Sequence, residues 1–426
     1  MELRIGAARE LITPEPGGRL MGYKHNLFSE SLHDDLTVTA FALFYGETSA
    51  ILMSATVCLI NNDLVKRIRD IVGIATGVLP ANVILSATHT HSGPCTDGIK
   101  GGGLDAEYCE DIFIPRCVSA AKIAAAIAKP AKMGIGVTET RVGVNRRQLL
   151  PDGGVILGQN PWGVYDPTMT VISFMGTDGA TLANLVHCGA HCTASGVNRE
   201  ITRDWAGVMV DRLEKESGAI TAFFNGAEGD IAPRIANGRS VGDISHAMEV
   251  GGLAGIDAVR AYKSIRAYYN EDLSVATGKI RIPQSILPLE EAKMLLSKYA
   301  DAPPTPVPDP WKTNFEEIIS LYDSGEIGFS EWTFNQTIIR IGPVAFIPFP
   351  FEPFSQISLR LREYGKFGHI LLLGCTNGSN SYLATQDQLC RGGYEIDSFR
   401  WSMVRRLPDD ADTRIINENI RIMEAL

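Results

Sequence analysis

Stretches of two-residue and 3.6-residue hydrophobic period alternate along this chain, and that alternation limits it to folds that interleave strands with helices. Leu36 to Phe44 and Ala50 to Ile60 read as two strands around the turn G-E-T. A helix is predicted next, capped by Asn62 and running to about Thr76. Asn82 to Ala87 is a short apolar run of the kind a buried strand needs. It opens into T-H-T-H-S-G-P-C-T-D-G-I-K-G-G-G, a loop whose glycines deny it regular structure. A helix is expected over about Ala106 to Ala128, kinked near Pro115. Val171 to Met175, Ala183 to Val186 and Ile220 to Phe224 are predicted strands; Asp204 to Ser217 and about Ser245 to Arg266 are predicted helices. The expected class is α/β, a mixed sheet with flanking helices.

From Pro288 the texture changes. A charged helix (Leu289 to Tyr299) leads into the Pro-rich spacer D-A-P-P-T-P-V-P-D-P, then a second helix over about Thr313 to Tyr322. Trp332 to Pro348 reads as long strands. Residues 288–332 are therefore expected to be a surface insert, a possible lid, within one catalytic domain spanning 1–426. Composition excludes several classes. With 45% hydrophobic and 21% charged residues the chain is neither disordered nor fibrous. A formal charge of −10 without a basic cluster argues against nucleic acid and anionic membrane surfaces as partners. Ala50 to Ile60, the longest apolar stretch, is too short to span a bilayer. The N-terminus has no apolar signal core, so a cytoplasmic location is expected unless a leader has been removed. The eight cysteines form no C-x-x-C pair and read as reduced, half-buried residues.

Four of the eight histidines fall in two clusters. His89 and His91 stand two apart after a strand, so both imidazoles can face one cleft. His187 and His191 flank C-G-A. Catalytic zinc takes neutral imidazole and carboxylate ligands from distant segments, and two histidine pairs after apolar strands suit that chemistry. A lone histidine near a loop reads first as a satisfied polar residue; two pairs after apolar strands shift the balance toward ligands. In N-G-A-E-G-D-I-A-P the turn puts Asp230 at a sheet edge, where α/β sites form, or makes it a local cap. Glu352, in P-F-P-F-E-P-F, is a carboxylate in apolar surroundings that must be paired, bind a metal or cap the following helix. Tyr382 and Tyr394 are, taken singly, packed aromatics.

In their order, these segments resemble the neutral/alkaline, non-lysosomal ceramidase family. A-T-H-T-H-S-G-P (Ala87 to Pro94) is the most specific of them. G-A-A-R-E-L-I-T-P, Met21-Gly-Tyr23, N-R-R at 145–147, G-A-E-G-D-I-A-P, F-P-F-E and N-G-S-N-S-Y support it by their order. The resemblance implies a fold like the family's N-terminal catalytic domain, built around one zinc. By motif it makes His89, His191, Glu352 and Tyr382 the metal ligands, with His191 chosen over His187 by the V-H-C-G-A-H-C-T alignment. It makes His91 a supporting histidine, Arg146 a substrate contact and Tyr394, twelve positions after Tyr382, the carbonyl-binding tyrosine. Two departures stand out: Ala232 replaces the family's serine, and Thr56 stands where an Asp is common. The family's C-terminal β-sandwich has no counterpart before Leu426. The departures count against ceramide itself as substrate.

The resemblance and the residues together imply a zinc-dependent hydrolase of an amide, or of an ester or lactone, with a small-molecule or lipid-like substrate. Metal-bound water would be the nucleophile, with His91 or Asp230 to orient or deprotonate it, and Tyr394 and Arg146 to hold the oxyanion. The alternatives are a non-catalytic metal-binding homologue, or a hydrolase whose nucleophile is Cys95 in the glycine-rich loop.

Overall fold

The computed structural model describes residues 1–23, 27–98, 103–299 and 309–426. Among them, eight strands form one mixed sheet. From edge to edge they are Ile220–Asn225, Thr181–Cys188, Thr168–Gly176, Lys129–Glu139, Arg4–Leu11, Thr37–Tyr45, Thr48–Ala55 and Val83–Ala87. A second sheet orders His369–Leu373, Val344–Pro348, Ser330–Ile341, Leu273–Ile286 and Arg405–Arg406.

Side-chain alternation explains how the sheets stack. In Thr37–Tyr45, Val38, Ala40 and Ala42 face the helices Asn62–Thr76 and Ile114–Ala126, while Phe41 and Leu43 face the second sheet. There Phe41, Phe174 and Phe224 meet Ile339, Phe346 and Leu371 in a core shared by both sheets. The helices Asp204–Ser217 and Ile244–Ser264 cover the other half of the first sheet's outer face. The helices Ser355–Tyr364 and Ala411–Met423 cover the second sheet. Both faces of each sheet are thus buried, which is why the strands read as near-continuous apolar runs. The layers run helix, sheet, sheet, helix. The α/β class matches the sequence reading; the second sheet does not appear in it.

Local signals set most boundaries. The first predicted helix occupies Asn62–Thr76 with Leu64, Val65, Ile68 and Val72 buried, but its cap is Asn61, whose side chain accepts from the Asp63 N–H. Gly77 ends it with φ +76°. The expected kink near Pro115 is instead a π-helical segment, Cys109–Phe113, between Ala106–Tyr108 and Ile114–Ala126. Helices Leu289–Ser297 and Pro310–Ser324 form within the insert and share a small core of Leu295, Phe315 and Ile318. Most of the Pro-rich spacer, residues 300–308, lies outside the described residues. No described helix is long and apolar enough to cross a membrane.

Candidate metal centre

Three parallel strand pairs bring chemistry to one place. Thr48–Ala55 pairs parallel with Val83–Ala87, Thr181–Cys188 with Ile220–Asn225, and Val344–Pro348 with His369–Leu373. The loops after their carboxyl ends carry His89 and His91, His191, the turn Gly226–Asp230, Glu352, and Cys375 onward. Ligand sites form at this end of α/β sheets. Two-residue strands then pair Glu352 directly with Tyr382. His89 takes φ +70°, a left-handed conformation that a β-carbon disfavours and that the surrounding bonds must hold. Its N–H donates to the Val57 carbonyl.

His89, His191 and Glu352 place ligand atoms within 4.8 Å of one another, and all three are buried. Glu352 Oε2 lies 3.4 Å from His89 Nε2 and 3.2 Å from His191 Nε2. The proton positions follow from the opposite ring edges. His89 Nδ1 faces the Cys58 carbonyl at 2.9 Å; His191 Nδ1 faces the Glu228 and Ile231 carbonyls at 2.8 and 3.1 Å. A carbonyl only accepts, so each Nδ1 carries a proton and each ring turns its Nε2 toward the carboxylate. Burial, reinforced by the Arg146 charge, pushes the His191 pKa down to about 3, so the ring is neutral at pH 7. Two imidazole nitrogens and a carboxylate oxygen thus converge in a buried site, the arrangement a divalent cation needs. Two histidines and a glutamate, each histidine oriented by a carbonyl behind it, fit a divalent metal and match a known catalytic zinc donor set.

His91 Nε2 sits 3.2 Å from His89 Nε2, at the same point, and its ring packs edge-on against Tyr23 with centroids 4.8 Å apart. Gly22, at φ +117°, makes that approach possible: a β-carbon there would stand 2.4 Å from His91 Cγ. Gly229 has a similar task, since its β-carbon would meet the Glu352 carbonyl oxygen at 2.3 Å.

A second arm holds charge over the cluster. Arg146 donates from Nε to Glu395 Oε1 at 2.7 Å and from Nη2 to the Tyr382 hydroxyl at 3.0 Å. Burial works against its charge, but Tyr382, Glu395 and Glu352 together raise its pKa, so it stays a cation. Arg147 donates to the other Glu395 oxygen at 2.8 Å. A register shift between Asn145 and Arg147 breaks the strand's alternation and lets neighbouring arginines grip one carboxylate. Tyr382 stacks with His191 at 6.5 Å between centroids, and Tyr394, 41% exposed, packs on Tyr382 at 5.7 Å. Trp311 of the insert reaches Tyr394 (6.4 Å) and Trp401 (5.4 Å).

Of the sequence-predicted residues, then, His89, His91, His191, Glu352, Tyr382, Arg146 and Tyr394 gather at one site. His187 goes elsewhere: its Nε2 faces the Leu372 carbonyl at 2.7 Å, tying the two sheets together, and burial lowers its pKa to about 4. The Asp230 carboxylate also points away from the cluster. It accepts from Ser355 N (2.7 Å), Ser355 Oγ and Asn145 Nδ2, a local cap on the helix Ser355–Tyr364. Burial raises its pKa to about 7. Ala232 is buried in the short strand Ile231–Pro233, opposite Val144.

Three features escaped the sequence reading. Glu395 follows Tyr394 directly; the signal for it was the pair Arg146-Arg147, which needs an acid once buried. Glu228 lies under the cluster, fully buried, accepting from Cys375 Sγ at 2.9 Å; burial pushes its pKa well up. Cys375 and Cys58 place their sulfurs 3.5 and 3.8 Å from His89 Nδ1.

The fold is that of the neutral ceramidases. A solved neutral ceramidase from Pseudomonas aeruginosa superposes with a TM-score of 0.77 at 20% identity, covering 100% of this chain and 75% of that one. A solved ceramidase complexed with C2 gives 0.77 at 18% identity, with the same coverage. No family model and no curated protein matches the sequence.

Proposed function

We propose that this protein is a metal-dependent, ceramidase-like hydrolase that cleaves an amide, with zinc as its ion. The observation that carries this reading is the convergence of the His89 and His191 Nε2 atoms on Glu352 Oε2. The likeness to solved ceramidases supports the substrate class. His89, His191 and Glu352, with Tyr382 beside them, would hold the zinc ion, which would supply Lewis acidity and an acidified water.

The chain's own groups do the rest. His91, with its Nε2 at the cluster, takes the proton from the attacking water and returns it to the leaving amine. Arg146, bonded to the Tyr382 hydroxyl beside the cluster, stabilises the oxyanion as the carbonyl becomes tetrahedral; Tyr394 donates its hydroxyl from the open rim. Asp230 acts through position, by fixing the start of the helix after Glu352. Glu395 aims Arg146. Trp311 and the insert helices border the rim at Tyr394, and we read them as the wall that sets substrate length.

Cys95 is a poor nucleophile here. Burial raises its thiol to a pKa of about 11, and its sulfur donates to the Arg19 carbonyl at 3.7 Å. Cys95→Ser is expected to keep amide hydrolysis within about threefold, well under the 1.4 kcal/mol that marks a tenfold barrier change. Loss of activity in that variant, with the fold intact by circular dichroism, would return the nucleophile to Cys95.

The missing serine gives a second test. If water attacks directly, the side chain at 232 takes no part, and Ala232→Ser should change kcat by less than about tenfold. A large gain on ceramide-like amides would mean that the serine is needed and that the chain is a weakened ceramidase.

A further inference from the structure

Beside the metal centre, on the far side of the Arg146–Arg147 bulge, lies a cavity of ≈ 540 Å³. Its size falls in the range of small-molecule sites. Six of its seventeen lining residues are carboxamides, an unusual lining for an enzyme cavity. Its charges are largely spent. Arg147 is held by Glu395 and the Gly392 carbonyl, and Asp230 by Ser355. Arg391 and Asp387, of opposite charge, both line the wall. Asn145, Gln159 and Asn160 are tied to the backbone around them, but the other three carboxamides are less committed. Gln148 accepts from the Gln159 N–H through Oε1, which leaves its NH₂ for the cavity. Gln388 gives its NH₂ to Asp387, which leaves its oxygen. Gln356 sits half-buried in the wall between them. Over this polar floor stands Trp162, 94% exposed, with Pro161, Val164 and Leu149 around it. The exposed indole offers a flat apolar face with a polar N–H at its edge.

Neutral groups that both donate and accept, facing a flat aromatic, match a neutral ligand with hydroxyls on its edges and C–H groups on its face. We propose that this cavity binds a sugar ring, and that the ring is the polar part of the amide substrate; the second clause rests on the hydrolase reading above. Arg147 links the two places, since it lines the cavity and shares Glu395 with Arg146. A ring seated here would extend its substituent past Arg146 toward the cluster. A wholly apolar ligand finds little complement in this lining.

The test is a binding titration of the full chain as purified, without turnover. N-acetylglucosamine and glucose are titrated while tryptophan fluorescence and heat are recorded, with 1-hexanol and acetate as controls. Saturable binding of a sugar is expected, with the fluorescence change lost in Trp162→Phe. Trp162→Ala and Gln356→Ala are expected to weaken binding at least tenfold while circular dichroism and metal content stay as in the parent. No saturable response to either sugar would overturn the proposal. So would saturation by 1-hexanol or acetate alone, or sugar binding that both variants leave unchanged. None of these readouts depends on hydrolysis, so the sugar site and the hydrolase reading fail separately. If both hold, sugar-linked amides should show a KM raised at least tenfold by Gln356→Ala with kcat kept.

Discussion

His89→Ala is expected to abolish metal binding and to lower kcat by more than the roughly 10²–10³-fold that loss of one oxyanion donor costs. The reason is that it takes away a metal ligand and with it the acidified water, while His91 has no proton to accept. His187→Ala is the matched control. That imidazole has a backbone carbonyl as its partner at 2.7 Å, away from the cluster. Its loss should leave metal content and kcat unchanged and cost about 1–3 kcal/mol of stability, the penalty for a buried carbonyl left without its donor. Elemental analysis, steady-state rates and urea unfolding of the two variants separate the roles. Parent-like activity in His89→Ala sinks the metal mechanism. Metal bound at full stoichiometry with no hydrolysis across a panel of amides and esters would instead make the chain a non-catalytic binder.

The largest stability effect is expected from Glu395→Ala. Glu395 is 1% exposed and is the carboxylate between two guanidiniums whose side chains are 7% and 4% exposed. Removing it leaves two buried cations facing each other. Breaking a buried pair from one side typically costs about 3–5 kcal/mol. Urea denaturation should show a loss of that order with an unchanged m-value. Glu395→Gln keeps the shape and one acceptor and should fall between. A loss below about 1 kcal/mol in Glu395→Ala would mean that water or another acid satisfies the arginines, contrary to the packing described here. Arg146, freed from Glu395, should also lose its aim at Tyr382, so the folded fraction should turn over more slowly.

Much of the cluster was legible because its residues follow strands. Apolar runs fix Val83–Ala87 and Thr181–Cys188, and the histidines come just beyond their ends. The choice between His187 and His191 was not legible from pattern. His187 lies inside the strand, where its direction depends on the second sheet and its Leu372 carbonyl; only the motif alignment favoured His191. The second sheet was hidden for a related reason. Leu273–Ile286 mixes polar and apolar residues and pairs over its length with Ser330–Ile341, a contact between distant segments that no local period announces. Asp230 misled because a turn acid next to a sheet end looks alike whether it faces a cleft or bonds the start of a helix 125 positions on. Glu395 was missed because its partners are some 250 positions away in sequence. The π-helical turn at Cys109–Phe113 stands where a proline kink is predicted: the chain stays right-handed helical from Tyr108 through Ile114, and the π turn just before Pro115 takes up the proline's missing N–H.

Anomalous diffraction at the zinc edge, on crystals of the protein, bears most directly on the central claim. One peak is expected per chain, about 2–2.3 Å from His89 Nε2, His191 Nε2 and a Glu352 oxygen, with Tyr382 completing the site. A peak on His187 or on the Cys58 and Cys375 sulfurs, or no peak in zinc-supplemented protein, would contradict it.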